Sequence, residues 1–519
     1  TPIVTKRRVM KYLYLLLAIT IIAAISLFSL DYWQEQYPLL MEFYDIPHHA
    51  NAAVAMERAG GWTNVDFWAG VEENTPNTYF PFYHIVSLLV LSFGASKFFL
   101  TYWWSWMMLP LSFIAVLLFT YRAYGPAVSL YSVILLGLSP VWLEKQWGMP
   151  PQALVFVLTP LVFWALAEKR FIIAMMLTVC CAATHFTGIF LLPFLLLYGL
   201  QCNEARKPVL IMLGALLLLG APFTWFIFQR LKYAQISIGF SNGELLNSIK
   251  AAFYKMLEIK TTFHVYLGWL ALAGLAVTCF RRKKFLILVS YFIAIFSMAW
   301  TIQEMRFWTT PALFIFPLLG GVALGSAHEA IEKIKFGKLA GFLFFILVFL
   351  GANAAFYYAS DRYPQTKIPT LVYLKTPGVW QRPRLTINAE DREKITRLVN
   401  ENVKKDEFFW IYSSNNVNNY IAMRTDRSMI RSITLEKNAM TLRQGIKLIV
   451  SRDLPSSDYA MLDKINNEYN AYILADDSKA AKVTLPKPLI KTDEIRKIFI
   501  AIGIIILIDL FNLPRLAFG

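Results

Sequence analysis

The sequence predicts an α-helical polytopic membrane protein of about 12 transmembrane helices, with one small extracytoplasmic α/β domain. Three observations carry this expectation. Apolar runs of about twenty residues recur, long enough to cross a hydrocarbon core, and 57% of the chain is hydrophobic against 16% charged. Soluble domains run nearer a quarter charged. Lys and Arg cluster between the apolar runs, as orientation signals do. One long stretch, 361–491, is polar by comparison.

Lys6, Arg7, Arg8 and Lys11 place the N-terminus in the cytoplasm. The first apolar run follows them without a small-residue cleavage site, so it reads as a retained anchor in a cell membrane. It delivers to the outside an acidic segment, Asp31 to His84, with eight carboxylates and a single arginine, Arg58. This segment reads as the polar face of an active site held against a membrane bundle, with Asp45 at its centre. The later basic groups also belong to the cytoplasm: Arg122, Lys169 with Arg170, Arg206 with Lys207, Arg281 to Lys284, and Lys333, Lys335 and Lys338. Crossings are expected near 99–121, 126–143, 150–168, 171–184, 186–201, 208–229, 263–280, 284–301, 307–326 and 338–359. The run Pro81 to Gly94 would invert every later cluster if it crossed. At about fourteen residues it suits an interfacial or re-entrant helix better, with a true span as the alternative.

The expected organisation is a transmembrane domain at 1–360, including a first external loop at 31–98, an α/β domain at 361–491, and a terminal transmembrane or interfacial helix at 492–519. Within the α/β stretch, DREKITRLVNENV has helical periodicity, whereas FFWIYSS and AYILADD read as strands. The run SSNNVNNY reads as a strand-to-helix turn. The four cysteines sit in or beside apolar runs, so no disulfide framework is expected. The net charge of +16 is explained by orientation signals, and no nucleic-acid motif, phosphate loop, dinucleotide fingerprint or nucleophile elbow occurs.

Several short patterns together resemble the GT-C glycosyltransferases, polytopic enzymes that use lipid-phosphate-linked sugars. Asp45, within YDIPHHANAAVAMERAGGW, resembles the family's first-loop aspartate and the amphipathic helix behind it. Tyr79, Phe80, Pro81 and His84 resemble an aromatic-proline entry to a juxtamembrane helix. Glu144, in LSPVWLEKQWGMPPQALVF, stands where relatives carry a second acidic residue, and Arg306 after Gln303, Glu304 and Met305 resembles a late arginine. The sequence departs from oligosaccharyltransferases of this superfamily in lacking a WWD motif and any DxD or ExD pair at Glu144.

Such transfer needs a carboxylate to take the acceptor proton, a cation for the leaving phosphate, and an apolar groove for the lipid tail. Asp45 is the candidate base, and burial beside Tyr44 would raise its pKa towards a useful range. The competing reading is a helix cap, since Pro47 suits a first helical turn. His48, His49, Tyr79, His84, Glu144, His185 and Arg306 are the candidate substrate contacts. A divalent metal ion held by Asp45, His49 and Glu144 competes with plain hydrogen bonding by interfacial histidines. Arg306 reads either as a phosphate ligand or as an arginine snorkelling to the interface. The loop Arg230 to Thr262 mixes Lys and Arg with aromatics, as an anchor on anionic lipid or a lid would.

The resemblance implies transfer of a sugar from a polyprenyl-phosphate donor to an extracytoplasmic glycan, lipid or protein acceptor. Two alternatives stand beside it: a non-catalytic scaffold subunit of a membrane or envelope complex, and a lipid or solute transporter. Transporters place ionisable groups near the bilayer midplane, whereas here polar residues gather at one face.

Overall fold

The structure, a computed structural model, describes residues 12–30, 34, 46–63, 80–137, 139, 142–143, 146, 150–216, 218, 265–298, 311–334, 336–362, 387–411, 415–429, 445–452 and 455–510. In chain order it begins with α1 (Tyr12–Leu30), α2 (Ile46–Arg58), β1 (Gly61–Trp62) and α3 (Pro81–Ser92). A wide-turn π segment, Phe99–Trp104, runs into α4 (Ser105–Ala123). Then come α5 (Pro126–Gly137), α6 (Pro150–Ala167), α7 (Phe171–Thr184), the 3-10 turn Phe186–Phe190 and α8 (Leu191–Gln201). The apolar helices resume with α9 (Val265–Phe280), α10 (Arg282–Met298), α11 (Pro311–Ile331) and α12 (Gly337–Arg362). The polar stretch holds α13 (Ala389–Asn402), β2 (Phe408–Ile411), α14 (Asn415–Thr425), β3 (Ser428–Met429), β4 (Leu448–Ser451), β5 (Tyr459–Lys464) and β6 (Asn470–Leu474). The chain's last described elements are β7 (Ile490–Lys491) and α15 (Thr492–Leu510).

Among the described residues, five helices are long and apolar enough to cross a membrane: Tyr12–Leu30, Phe99–Ala123, Pro150–Ala167, Phe314–Ile331 and Gly337–Ala354. Five shorter apolar helices accompany them, which makes this a multi-pass membrane fold. The expected short helix at 81–94 forms as α3, whose twelve residues reach about 18 Å at 1.5 Å per residue, well short of a hydrocarbon core of about 30 Å.

The chain divides into two compact units. The first comprises 1–35, 105–380 and 505–519 and holds the apolar bundle. Its α5–α11 crossing is set by small residues. A Cβ on Gly325 would lie 2.7 Å from Val128 Cα, and one on Gly321 would lie 2.8 Å from the Ser132 backbone nitrogen. Gly321 and Gly325, one helical turn apart, therefore let the two backbones approach closely where lipid supplies no hydrophobic drive.

One end of this bundle collects the basic clusters. Arg122 clasps Glu168 with two bonds of 2.8 and 3.0 Å, and Lys169 reaches Glu204 at 2.6 Å. Arg282 bonds Gln201, and the Tyr124 and Phe285 rings meet at 4.8 Å. Groups scattered through the sequence thus share a face, which is what a common orientation signal requires. On the same end, Tyr14 of α1, Tyr131 of α5 and His328 of α11 come together.

The second unit comprises 36–104 and 381–504, so the loop after α1 and the polar stretch form one body. Its sheet has the order β3-β2-β4-β6-β5. β2 is parallel to β3 and β4, whereas β6 is antiparallel to β4 and β5. All four residues of β2 are buried. Phe409 and Ile411 enter one core with Ile395, Val399, Val417 and Ile421; Phe408 and Trp410 enter the other with Ile449 and Tyr472. A strand covered on both faces reads as an unbroken apolar run, as FFWI does. α13 starts with a reciprocal capping box between Asn388 and Asp391. β1 pairs antiparallel with β7, tying the segment after α2 to the segment before α15. α15 packs Ile495 against Met56, Leu88 and Leu89, and its Arg496 donates to the carbonyl of Ser92 at 2.6 Å.

Candidate functional site

The site residues of the second unit lie on α2 and α3. Pro47 occupies the first turn of α2 and Pro81 opens α3, where a missing N–H costs nothing and the fixed φ favours helix. Alanines fill much of the rest of α2, and the helix stops at Gly60, whose φ of +79° only glycine adopts freely.

At 100° per residue, α2 presents two stripes. His49, Ala53 and Met56 share one. Ala53 packs with Leu91 and Leu100, and Met56 packs with Leu88 and Leu89. Asn51 and Arg58 share the other, rotated about 200° from His49. There Asn51 Nδ2 donates to the Asn419 carbonyl at 2.8 Å, and Arg58 donates to the Asp426 carbonyl at 2.8 Å.

On the first stripe, His49 Nδ1 and His84 Nε2 lie 2.9 Å apart. Both residues are almost wholly buried, at 3% and 1% exposure. One ring must donate and the other accept, so one of the two facing nitrogens is bare. Tyr83 meets both rings edge-on, at 5.8 and 6.0 Å between centroids, and His48 stands against His49 at 5.1 Å. The pair joins the opening turns of two helices, where backbone N–H groups carry partial positive charge.

Arg58 is drawn below the usual arginine range, first by burial and then by Arg427. Lys97 and Asp426 form an ion pair beside it. Asp426 takes a left-handed φ of 56° just past the end of α14, a conformation that Asp tolerates better than most residues.

His185 belongs to the other unit and ends α7 on the side away from the basic clusters. Its Nδ1 lies 2.9 Å from Thr187 Oγ1 and accepts from the Thr187 backbone N–H at 3.4 Å, so it caps the 3-10 turn that follows. Asp45, Tyr79, Glu144 and Arg306 lie outside the described residues, as does the loop 230–262. Of the expected metal set only His49 is described, and its Nδ1 faces His84, which leaves Nε2 as its coordinating atom. No cluster of three or more metal-ligating side chains occurs among the described residues.

Sequence reasoning missed Asn51, Arg58, Lys97 and Asp426. The available signal was Asn51 itself, a polar residue inside an alanine-rich helix, which demands a partner once buried. It also missed His328 and its tyrosines.

No family model matches the chain, and no curated protein sequence matches it. Solved structures do. ArnT from Cupriavidus metallidurans, bound to undecaprenyl phosphate, superposes with a TM-score of 0.54 at 12% identity, over 88% of this chain and 98% of that one. The Archaeoglobus fulgidus oligosaccharyltransferase, in complex with Zn and sulfate, gives 0.54 at 13% identity, over 83% of this chain and 67% of that one. The same enzyme tethered to an acceptor peptide with an NVT sequon gives 0.51 at 12% identity, over 84% and 69%. The chain shares the fold of these proteins. The helices α2 and α3 and the α/β sheet form one unit of this chain.

Proposed function

We propose that this chain is a membrane glycosyltransferase that moves a sugar from a polyprenyl-phosphate carrier to an extracytoplasmic acceptor. The observation that carries the reading is the fold likeness along nearly the whole of a protein solved with undecaprenyl phosphate. The cytoplasmic N-terminus, with the basic end of the bundle inside and residues 361–491 outside, belongs to the same proposal.

In this reading Asp45, the residue before α2, accepts the acceptor hydroxyl proton as the oxygen attacks the anomeric carbon. The new carbon–oxygen bond forms while the bond from that carbon to the phosphate oxygen breaks. Polyprenyl phosphate departs with the electron pair, and Arg306 stabilises its charge. His49 and His84, held by each other, orient the sugar or the phosphate with Tyr79, and His48, Glu144 and His185 line the acceptor path. A divalent ion, if bound by Asp45, His49 and Glu144, would supply further positive charge for the phosphate.

The test is release of polyprenyl phosphate by the purified chain in lipid. Asp45→Ala should cut release by at least about a hundredfold, in the range of removing a general base, while leaving thermal stability unchanged. Arg306→Ala should reduce release and raise the donor KM. Undiminished turnover in Asp45→Ala would overturn the assignment of the base.

A further inference from the structure

The asparagine-rich start of α14 has a structural logic that extends to the site. Asn418 is fully buried. Its Oδ1 accepts from the Ile411 N–H at 3.0 Å, and its Nδ2 donates to the Ile411 carbonyl at 2.9 Å. One side chain thus imitates a strand partner at the end of β2 and locks α14 to the sheet. The next residue, Asn419, offers its carbonyl to Asn51 of α2. Seven residues on, Asp426 offers its carbonyl to Arg58.

Those two contacts fix a register. Asn51 to Arg58 and Asn419 to Asp426 are equal steps of seven residues, the first about 10.5 Å along the axis of α2. α2 and α14 therefore lie side by side and run in the same sense. The start of α14 at Asn415 and the first turn of α2 at Pro47 are then the matching ends of the two helices. Lys97 closes the arrangement by pairing with Asp426. α2 is thus held on one stripe by α14 and on the other by α3 through His49 and His84.

We infer that Asn51 and Arg58 are positioning residues: through them the sheet and α14 set the rotation and height of α2, and with it His49 and its partner His84. The α/β region then serves the site as its rigid mount, joined by side chains that bond main-chain carbonyls and never touch substrate. This rests on the proposed transferase reading only for its kinetic consequence.

Hydrogen–deuterium exchange on the full-length chain in lipid tests the mount without any activity. In Asn51→Ala/Arg58→Ala, amides of 46–58 should exchange at least tenfold faster while those of β2 and β4 keep their protection. Asn51→Leu, which keeps volume and apolar packing, should loosen α2 in the same direction should the double variant fail to fold. Arg58→Lys, still a donor, should keep most of the protection that Arg58→Ala loses. Unchanged exchange of 46–58 in Asn51→Leu, or loosening spread equally over the sheet, would overturn the inference.

Kinetics separate the two readings. A loosened α2 should lower kcat for polyprenyl phosphate release by about tenfold to thirtyfold with donor KM within twofold, since positioning acts on the reacting geometry. A loosened α2 with unaltered kcat would overturn the positioning role. If α2 loosens as expected but neither wild type nor Asp45→Ala releases polyprenyl phosphate, the mount stands and the transferase reading falls.

Discussion

Two buried histidine groups, one in each unit, are built on opposite plans. In the bundle, His328 is 1% exposed and both its ring nitrogens meet phenols: Nε2 with Tyr14 at 2.7 Å and Nδ1 with Tyr131 at 2.8 Å. Tyr14 in turn donates to Glu332. Tyr14 having given its proton to the carboxylate, it must accept from Nε2–H, and Nδ1 must then accept from Tyr131. Every bond runs one way, from Tyr131 through His328 and Tyr14 to Glu332, and one tautomer satisfies the whole chain. His49 and His84 instead face each other, and either ring can be the donor.

The difference separates structure from chemistry. A directed chain that ends on a carboxylate fixes α1, α5 and α11 in one arrangement, and any change of protonation breaks it. An imidazole pair in which either ring can donate tolerates exchange of its proton, which suits groups that must answer to a bound substrate. The same residue type, equally buried, is a clamp in one unit and, under the proposed function, part of the site in the other.

The largest effect that sharpens this contrast is on stability. His328→Ala should cost about 3–5 kcal/mol, because it opens a cavity and strands two phenols among apolar side chains. Thermal unfolding in detergent would show it, with release per folded molecule unchanged. Gly325→Val, which drives a side chain into Val128, should cost about 3 kcal/mol by overpacking. The direction of the bundle chain is itself testable. Tyr14→Phe should cost about 2 kcal/mol and Tyr131→Phe about 1 kcal/mol, since Tyr14 serves two partners and Tyr131 one in this chain. Equal costs would break the directed assignment.

The reverse pattern is expected at the other pair. His49→Ala should lower release tenfold to a hundredfold while costing about 2–3 kcal/mol of stability, less than His328→Ala because it strands one partner and not two. The smallest effect is a control in the sheet of the α/β region. Tyr459 donates to the Ile446 carbonyl at 2.9 Å, and burial first, then Asp458, pushes its phenol up to about 12. Between pH 10 and about 12 the unfolded chain has lost this proton and the folded chain keeps it. Stability of the α/β region should therefore fall as pH rises through that window. Tyr459→Phe should flatten the slope when unfolding is followed by tryptophan fluorescence, and neither histidine group should notice.

Much of the fold was legible because its signals are local. Apolar runs named the bundle helices to within a few residues at 150–168, 171–184 and 263–280. FFWI and AYIL gave β2 and β6, and the scattered basic clusters announced the end of the bundle on which they meet. His49 and His84 were legible as chemistry-bearing side chains in a helical context. Their contact was not, because nothing in composition fixes which of several histidines meet. Asn51 and Arg58 escaped for a further reason: their partners are main-chain carbonyls, which every residue carries. His328 escaped because its first partner, Tyr14, lies 314 positions away and both sit in runs that looked merely apolar.

Topology offers a coarser check. In a variant whose native cysteines are serines, Glu401→Cys, at an exposed position of α13, should react with a membrane-impermeant maleimide applied from outside intact cells. Labelling only after lysis would place the α/β region on the other side.

The most direct measurement is a cryo-EM map of the chain with polyprenyl phosphate. The phosphate should sit within hydrogen-bond reach of Arg306, beside Asp45 and the His49–His84 pair. A phosphate seated instead at the end of the bundle that carries Arg122 and Lys169 would contradict the account.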